Sequence, residues 1–233
     1  MRAIGLVGGM TPESTLEYYR LLIRSARERL RDPDPLRNPV VILYSLDLAV
    51  VAGLQRTGRT DELAAHLAGI CEILRAAGAE VGALTANTPH LNFEAIQTGT
   101  RLELVSIVEA TCSAAVGIGL RRPLLLGTRT TMESPMYRDR LAAHGIELLI
   151  PDEEGRQRVD EAIYTELAVA DVRPATRNRL LALCREAVEH RGADGVILGC
   201  TELPLVLGQA DLPVPVVDTA RVHVEAILDR ALA

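Results

Sequence analysis

The sequence predicts an α/β protein of two similar three-layer domains with mostly parallel sheets, and three observations predict it. Short apolar runs alternate with longer amphipathic segments along the 233 residues, the pattern of a parallel sheet covered by helices on both faces. AGAEVGALTANTPH (77–90) and RGADGVILGCTELP (191–204) share one build: helix end, glycine turn, buried strand, polar knot. GLVGGMTPESTLEYYRLL (5–22) resembles LLLGTRTTMESPMYRDRL (124–141), each running strand, glycine turn, Thr, Glu-Ser, then Tyr-Arg. The two matches occur in the same order at nearly the same offset, which points to an internal duplication.

The elements follow in order. AIGLVGG (3–9) is a strand that breaks at glycines. Thr11 caps a helix and Pro12 opens it, and it runs to about Leu30. DPDPLRNP (32–39) is a loop, VVILYSLD (40–47) a strand, 60–77 a helix and VGALTA (81–86) a strand. A short helix at 91–98, the strand LELVSI (102–107) and a helix at 108–119 come next. PLLLGT (123–128) starts the pattern again. Further strands are expected at 146–150, 195–199 and 214–217, with helices at 132–143, 156–168, 174–191 and 219–232.

Composition excludes several classes. The chain is 48% hydrophobic but only 3% aromatic, with no Trp, so its core is built from Leu, Val, Ile and Ala. Net charge is −6 and there is no basic stripe with interleaved aromatics, so a nucleic-acid partner is not expected. No apolar run approaches the roughly 20 residues of a membrane span, and no signal-like segment precedes AIGLVGG. A soluble, cytoplasmic protein with no membrane partner is expected. The four cysteines lack CxxC spacing, so neither disulfides nor a zinc site is expected. All 25 basic residues are Arg. Without Lys there is no Schiff base for pyridoxal phosphate and no standard P-loop.

Cys200 is the leading candidate for chemistry. It ends the apolar run GVILG, and a helix N-terminus just beyond it would favour its thiolate. Cys71, Cys112 and Cys184 sit on expected helices among apolar residues and read as buried hydrophobes. Laying Gly78 on Gly192 puts Ala86 on Cys200, so the duplication has a thiol at one strand end and a methyl at the other. Asn87-Thr88 and Thr201-Glu202 are polar pairs at those ends. They suit carboxylate binding and enolate stabilisation, and equally the capping of whatever follows. Gly8-Gly9-Met10-Thr11 and Gly127-Thr128-Arg129-Thr130-Thr131 are glycine turns open to a carboxylate or phosphate. His90 is a further candidate acid beside the first knot, or a capping residue.

GLVGGMTPEST, ALTANTPH, LLGTRTTMES and GVILGCTELPLV together resemble the aspartate/glutamate racemase family, within the wider aspartate/glutamate/hydantoin racemase superfamily. The resemblance covers nearly the whole chain. It implies two α/β domains related by a pseudo-twofold axis with the active site in the cleft between them, a homodimer, and no cofactor or metal. The corresponding division is 1–100 plus 216–233, and 101–215. It implies catalysis by two residues on opposite faces of the substrate's α-carbon. Cys200 matches the second of these. Asn87, Thr88, Thr128, Thr131, Thr201 and the Met10-Thr11 turn match carboxylate-holding positions, with Ser45 a further match and Glu202 beside them. The first catalytic position falls on Ala86, which cannot transfer a proton; Thr85 is adjacent, but strand alternation points it the other way. Three functions remain open at this point: an amino-acid racemase using another group, a single-cysteine decarboxylase like arylmalonate decarboxylase, or a non-catalytic carboxylate-binding protein.

Overall fold

The computed structural model describes residues 1–30 and 36–233. Part of the expected loop 32–39 therefore lies outside the described residues. The chain divides into two compact units, Met1–Ile107 with His223–Ala233, and Val108–Val222. Strand pairing explains why these limits lie about seven residues beyond 100 and 215: residues 103–105 pair into the first sheet and residues 216–218 into the second.

The first unit is a four-stranded parallel sheet in the order β2-β1-β3-β4. Its strands are β1 (Ile4–Gly8), β2 (Val41–Ser45), β3 (Val81–Leu84) and β4 (Glu103–Val105). Every residue of β1 and β3 is buried, whereas the edge strand β2 is half exposed. Central parallel strands are covered on both faces, which is why they read as continuous apolar runs. The connecting helices are α1 (Pro12–Leu30), α2 (Leu48–Arg56), α3 (Thr60–Ala76) and the short α4 (Phe93–Thr98). Leu67, Cys71 and Leu74 of α3 pack with Val7, Leu84, Ile96 and Leu102 in one core.

Helix α2 was not expected from the sequence. Asp47 begins it as N-cap, its carboxylate accepting from the Ala49 N–H at 2.9 Å. The cap sits directly against an apolar strand, so Asp47 reads as the end of that strand when it is the start of the next element.

The second unit repeats the plan with a three-stranded parallel sheet, β5-β6-β7, formed by β5 (Leu124–Leu126), β6 (Val196–Leu198) and β7 (Val216–Asp218). The strand expected at 146–150 is reduced to a bridge between Leu149 and Leu124. Leu149 donates to the Pro123 carbonyl at 2.9 Å and accepts from Leu125 at 2.8 Å. Extending the ladder either way needs an N–H from Pro123 or from Pro151, and proline has none. With this segment counted, the order 149-β5-β6-β7 matches β2-β1-β3-β4.

The helices of this unit are α5 (Ile107–Gly117, beginning in the first unit's last residue), α6 (Arg129–Glu133), α7 (Pro135–Ala142), α8 (Glu153–Thr165) and α9 (Pro174–His190). The single helix expected at 132–143 is broken at Ser134, which is extended ahead of Pro135 (ψ 157°), as a residue before proline prefers. Helix α10 (Thr219–Leu232) ends the chain. The glycines that opened the duplication match in local backbone conformation as well. Gly78 and Gly192 follow α3 and α9, and both take positive φ, +105° and +69°.

Candidate active site

In each unit a glycine-turn strand lies beside the strand that carries a polar knot. In the second unit β5 and β6 end side by side, with Leu126 opposite Leu198, so the Gly127-Thr128 turn and Gly199-Cys200 leave the sheet together. A side chain is excluded at Gly199 and crowded at Gly127. A Cβ on Gly199 would sit 2.9 Å from the Leu126 carbonyl oxygen, and one on Gly127 3.0 Å from the Gly199 carbonyl oxygen.

Cys200 is half-buried, whereas Cys71, Cys112 and Cys184 are fully buried on helices. Burial pushes each of those three thiols up to about 12, and they are packing residues. Cys200 donates through Sγ to Glu202 Oε2 at 2.8 Å, and Thr201 Oγ1 donates to the same oxygen at 2.9 Å. Burial first, then the Glu202 carboxylate, raises this thiol well above its ordinary value, while backbone groups of Glu202 and Thr201 pull it down. The low-pKa thiolate expected from the sequence is therefore corrected. No α-helix starts after Cys200; a turn leads into a single 3₁₀ turn, Leu203–Leu205, which carries little dipole. Burial, and after it the carboxylate two residues on, reverses the expected sign.

Glu202 is 3% exposed and its carboxylate is turned onto Cys200 and Thr201, so it is not presented to a substrate carboxylate, which it would repel. Thr128 is the N-cap of α6: its Oγ1 accepts from the Thr131 N–H at 3.3 Å and lies 3.0 Å from Thr131 Oγ1. The Arg129 N–H in the same turn donates to Asp160 Oδ1 at 2.6 Å. A carboxylate of the protein itself thus occupies part of the turn expected to receive one.

Asp160 and Tyr164 were missed in the sequence. They lie one turn apart on α8, an i,i+4 pair sharing a face, and Tyr164 interacts electrostatically with Asp160, Cys200 and Glu202. Burial, then these negative neighbours, raises the Tyr164 phenol, which is neutral beside the thiol. The i,i+4 spacing was the available signal, but nothing in the sequence tied α8 to this strand end.

The first unit has the same frame with different chemistry. β1 and β3 end together, with Thr85 N–H donating to the Val7 carbonyl at 3.0 Å. Thr85 is fully buried and its Oγ1 donates to the same carbonyl at 3.2 Å, as strand alternation predicts. Ala86 is half-buried and Asn87 buried. Thr88, also half-buried, opens a 3₁₀ turn, Thr88–Asn92. The reading of His90 as an acid is corrected. It is buried, with Nδ1 2.9 Å from the Ala86 carbonyl and Nε2 accepting from the Ile107 N–H at 3.2 Å. Nδ1 therefore carries the proton and neither nitrogen is available. Burial, then the neighbouring His223, lowers its pKa to about 3.

Of the remaining candidates, Met10 is buried in the core, and Thr11 caps α1, its Oγ1 accepting from the Ser14 N–H at 3.3 Å. Ser45 is exposed at the end of β2; its Oγ would lie 2.9 Å from a Cβ on Gly9, a residue held at φ +83°. Among the described residues no group of three or more His, Cys, Asp or Glu side chains is placed to hold a metal ion, and no helix is long and apolar enough to cross a membrane.

Comparison with known proteins gives consistent matches. The family model described as Asp/Glu/Hydantoin racemase matches residues 7–227. The broad specificity amino-acid racemase RacX of Bacillus subtilis is 25% identical over 230 residues, 99% of this chain and 98% of that protein. A crystal structure of an Asp/Glu racemase candidate from Yersinia pestis is 36% identical with a TM-score of 0.91, and both chains are covered completely. That of an aspartate racemase homologue from Pyrococcus horikoshii OT3 is 35% identical with a TM-score of 0.85, again with complete coverage of both chains.

Proposed function

The chain belongs to the Asp/Glu/hydantoin racemase family, and from that premise we propose that it moves a proton at Cα of a small amino or carboxylic acid, with Cys200 as the acid/base and no pyridoxal cofactor. One observation carries the reading. Of four cysteines, Cys200 alone is not fully buried, and it ends a strand with its Sγ–H directed at a carboxylate. A thiol placed only for packing would have no need of that partner.

Aspartate or glutamate is the substrate this reading favours. Thr128, Thr131, Asn87, Thr88, Thr11 and Ser45 are the hydroxyl and amide groups proposed to receive its carboxylates. A cytoplasmic homodimer is part of the same reading. Leu16 and Tyr19, each at least half exposed on α1, line a shallow groove with Ile23 and the charged Arg20, Arg24, Arg27 and Glu28, a mixed apolar and charged surface proposed as the contact. Gel filtration with light scattering on the purified chain tests it, and a monomer at micromolar concentration would remove this part.

The deciding experiment is proton NMR of L- and D-Asp and L- and D-Glu with the protein in D₂O, with chiral analysis of the same samples. Loss of the Cα–H signal in the wild type, abolished in Cys200→Ala, is the expected result. Full exchange in Cys200→Ala would sink the assignment.

A second reading is favoured by the first unit. Ala86 has only a methyl group, Thr85 is bonded into the sheet, and both His90 nitrogens are taken by backbone. Chemistry with one proton-transfer group suits decarboxylation of a malonate-type acid, in which loss of CO₂ leaves a carbanion that one acid protonates. Release of CO₂ from a substituted malonate, with no exchange of Asp or Glu, is the result that would select it.

A further inference from the structure

We propose that His90 is a positioning residue: its ring replaces a backbone donor that Pro89 lacks, and so holds the Ala86–Asn87 peptide in the orientation that presents Asn87 and Thr88 to a substrate carboxylate. The proposal rests on the reading of Asn87 and Thr88 as carboxylate-receiving groups.

Comparing the two strand ends carries it. Laying Gly78 on Gly192 puts Ala86 on Cys200 and Pro89 on Leu203. In the second unit the Leu203 N–H donates to the Cys200 carbonyl at 3.2 Å. That is an ordinary bond from the third residue on, and it closes the turn that follows the strand. In the first unit the third residue on is Pro89, which has no N–H to give. The Ala86 carbonyl is held all the same, by His90 Nδ1 at 2.9 Å. One carbonyl is thus secured in both units, by main chain in one and by a side chain in the other.

The ring is fixed for this task from every side. Nε2 accepts from the Ile107 N–H at 3.2 Å, which leaves the proton on Nδ1 and aims it at Ala86. Phe93 stacks on the ring with centroids 5.3 Å apart and planes within 6°. His223 meets it edge-on at 5.9 Å. The peptide unit is planar, so fixing the Ala86 carbonyl fixes the whole Ala86–Asn87 plane and the direction in which Asn87 and Thr88 continue. Without a donor the carbonyl is free to turn, and the corner turns with it.

The test uses the whole chain labelled with ¹⁵N. Succinate is titrated in while the backbone amide signals of Asn87 and Thr88 are followed, and Cα–H exchange of Asp is measured against Asp concentration. Both amide signals are expected to move in the wild type. His90→Leu is expected to raise the succinate dissociation constant and the KM for Asp roughly tenfold, with kcat changed less. His90→Asn carries an N–H two bonds from Cβ, as Nδ1 is, and is expected to stay within about threefold of wild type. His90→Gln can still accept from Ile107 but holds its nitrogen one bond further out, and is expected to behave like His90→Leu. The double variant Pro89→Ala/His90→Leu returns a main-chain N–H at the third residue after Ala86. It is expected to recover most of the affinity lost in His90→Leu, a rescue that a merely space-filling ring would not allow.

Wild-type affinity in His90→Leu, a double variant no better than His90→Leu, or amide signals of Asn87 and Thr88 unmoved by succinate in the wild type would overturn the proposal. Should His90→Leu fail to fold, as read by circular dichroism, the Asn and Gln variants decide, and equal affinity in those two overturns it. The two readings fail separately. No Asp exchange in the wild type, with the succinate series as expected, defeats the racemase reading and leaves the positioning role. Exchange that Cys200→Ala abolishes but whose KM is unmoved in His90→Leu defeats the positioning role alone.

Discussion

Gly199→Ala is the most informative single change, because the structure fixes both its size and its direction. Gly199 is not at positive φ, so alanine is allowed by its backbone, and the penalty is steric. The new Cβ would lie 2.7 Å from Leu125 Cδ1, 2.9 Å from the Leu126 carbonyl oxygen and 3.3 Å from Thr131 Cγ2. Leucine can turn away; the backbone oxygen cannot, because it also accepts the Gly199 N–H at 2.6 Å. Opening that contact to ordinary van der Waals distance moves the end of β6 by about half an ångström, within the overpacking range of about 1–3 kcal/mol. Cys200 is the next residue and moves with it. A shift of about 1 Å at a reacting group costs about 10²-fold, so half of that is expected to reduce Cα exchange by about tenfold. Urea unfolding followed by circular dichroism gives the stability, and proton NMR in D₂O gives the exchange. Gly78→Ala is the control. Its φ of +105° is costly to any side chain, yet nothing lies within 4 Å of the added Cβ, so it is expected to lose about 1–2 kcal/mol or more with turnover unchanged. Wild-type stability and turnover in Gly199→Ala would refute the steric account of this strand end.

Three further outcomes are expected. Thr85→Val removes the bond to the Val7 carbonyl and is expected to cost about 1 kcal/mol in urea unfolding while leaving exchange intact; a large loss of turnover would return Thr85 to the chemistry. Ala86→Cys is expected to add exchange of the enantiomer that the wild type handles poorly, read by chiral chromatography, and no gain would count against the family-derived role of position 86. Acid is expected to destabilise the fold through two buried histidines. His90 is lowered to about 3, by burial and then His223, and His223 to about 4 by burial. Between pH 6.5 and 4 the unfolded chain therefore binds protons that the folded chain does not, so stability present at neutral pH is lost as pH falls. At pH 5 this amounts to roughly 2 kcal/mol per histidine, measurable as a lower urea midpoint. Replacing His223 by Gln is expected to flatten that slope by about half, and an unchanged slope would show that the histidines are not the cause.

The layered α/β plan and its duplication were legible because buried parallel strands are continuous apolar runs and because glycine turns repeat where backbones come close. Gly78 and Gly192, matched by sequence alone, both adopt positive φ. Errors arose where one residue's backbone chemistry overrode the pattern. Pro123 and Pro151 reduce the 146–150 strand to one bridge, Pro135 splits a helix, and Asp47 starts α2 where an apolar run invited a longer strand. The candidate residues were legible as polar groups at strand ends, but their electrostatics were not. The Cys200 shift depends first on burial and then on which way one carboxylate turns, and Glu202 reads identically in sequence whether it faces solvent or sulfur. Asp160 and Tyr164 were invisible for a related reason: they reach the site through the packing of α8, not through proximity in sequence.

The two strand ends show how one frame can hold opposite chemistry. In both units a residue shortly after the knot folds back on it. In the first that residue is His90, four positions beyond Ala86, and its ring is used up by backbone: Nδ1–H holds the Ala86 carbonyl and Nε2 holds the Ile107 N–H. In the second it is Glu202, two positions beyond Cys200, and its carboxylate takes a side-chain proton donor. A thiol substituted at Ala86 would meet no charged acceptor from His90, which is neutral across the working pH range. Such a cysteine would lack the partner that Cys200 has. The Ala86→Cys variant is therefore expected to remain well below a balanced two-sided enzyme. The exchange it does gain is expected to rise with pH, as that of an ordinary thiol ionising to water. A gain that stays level between pH 6 and 9 would refute this account of position 86.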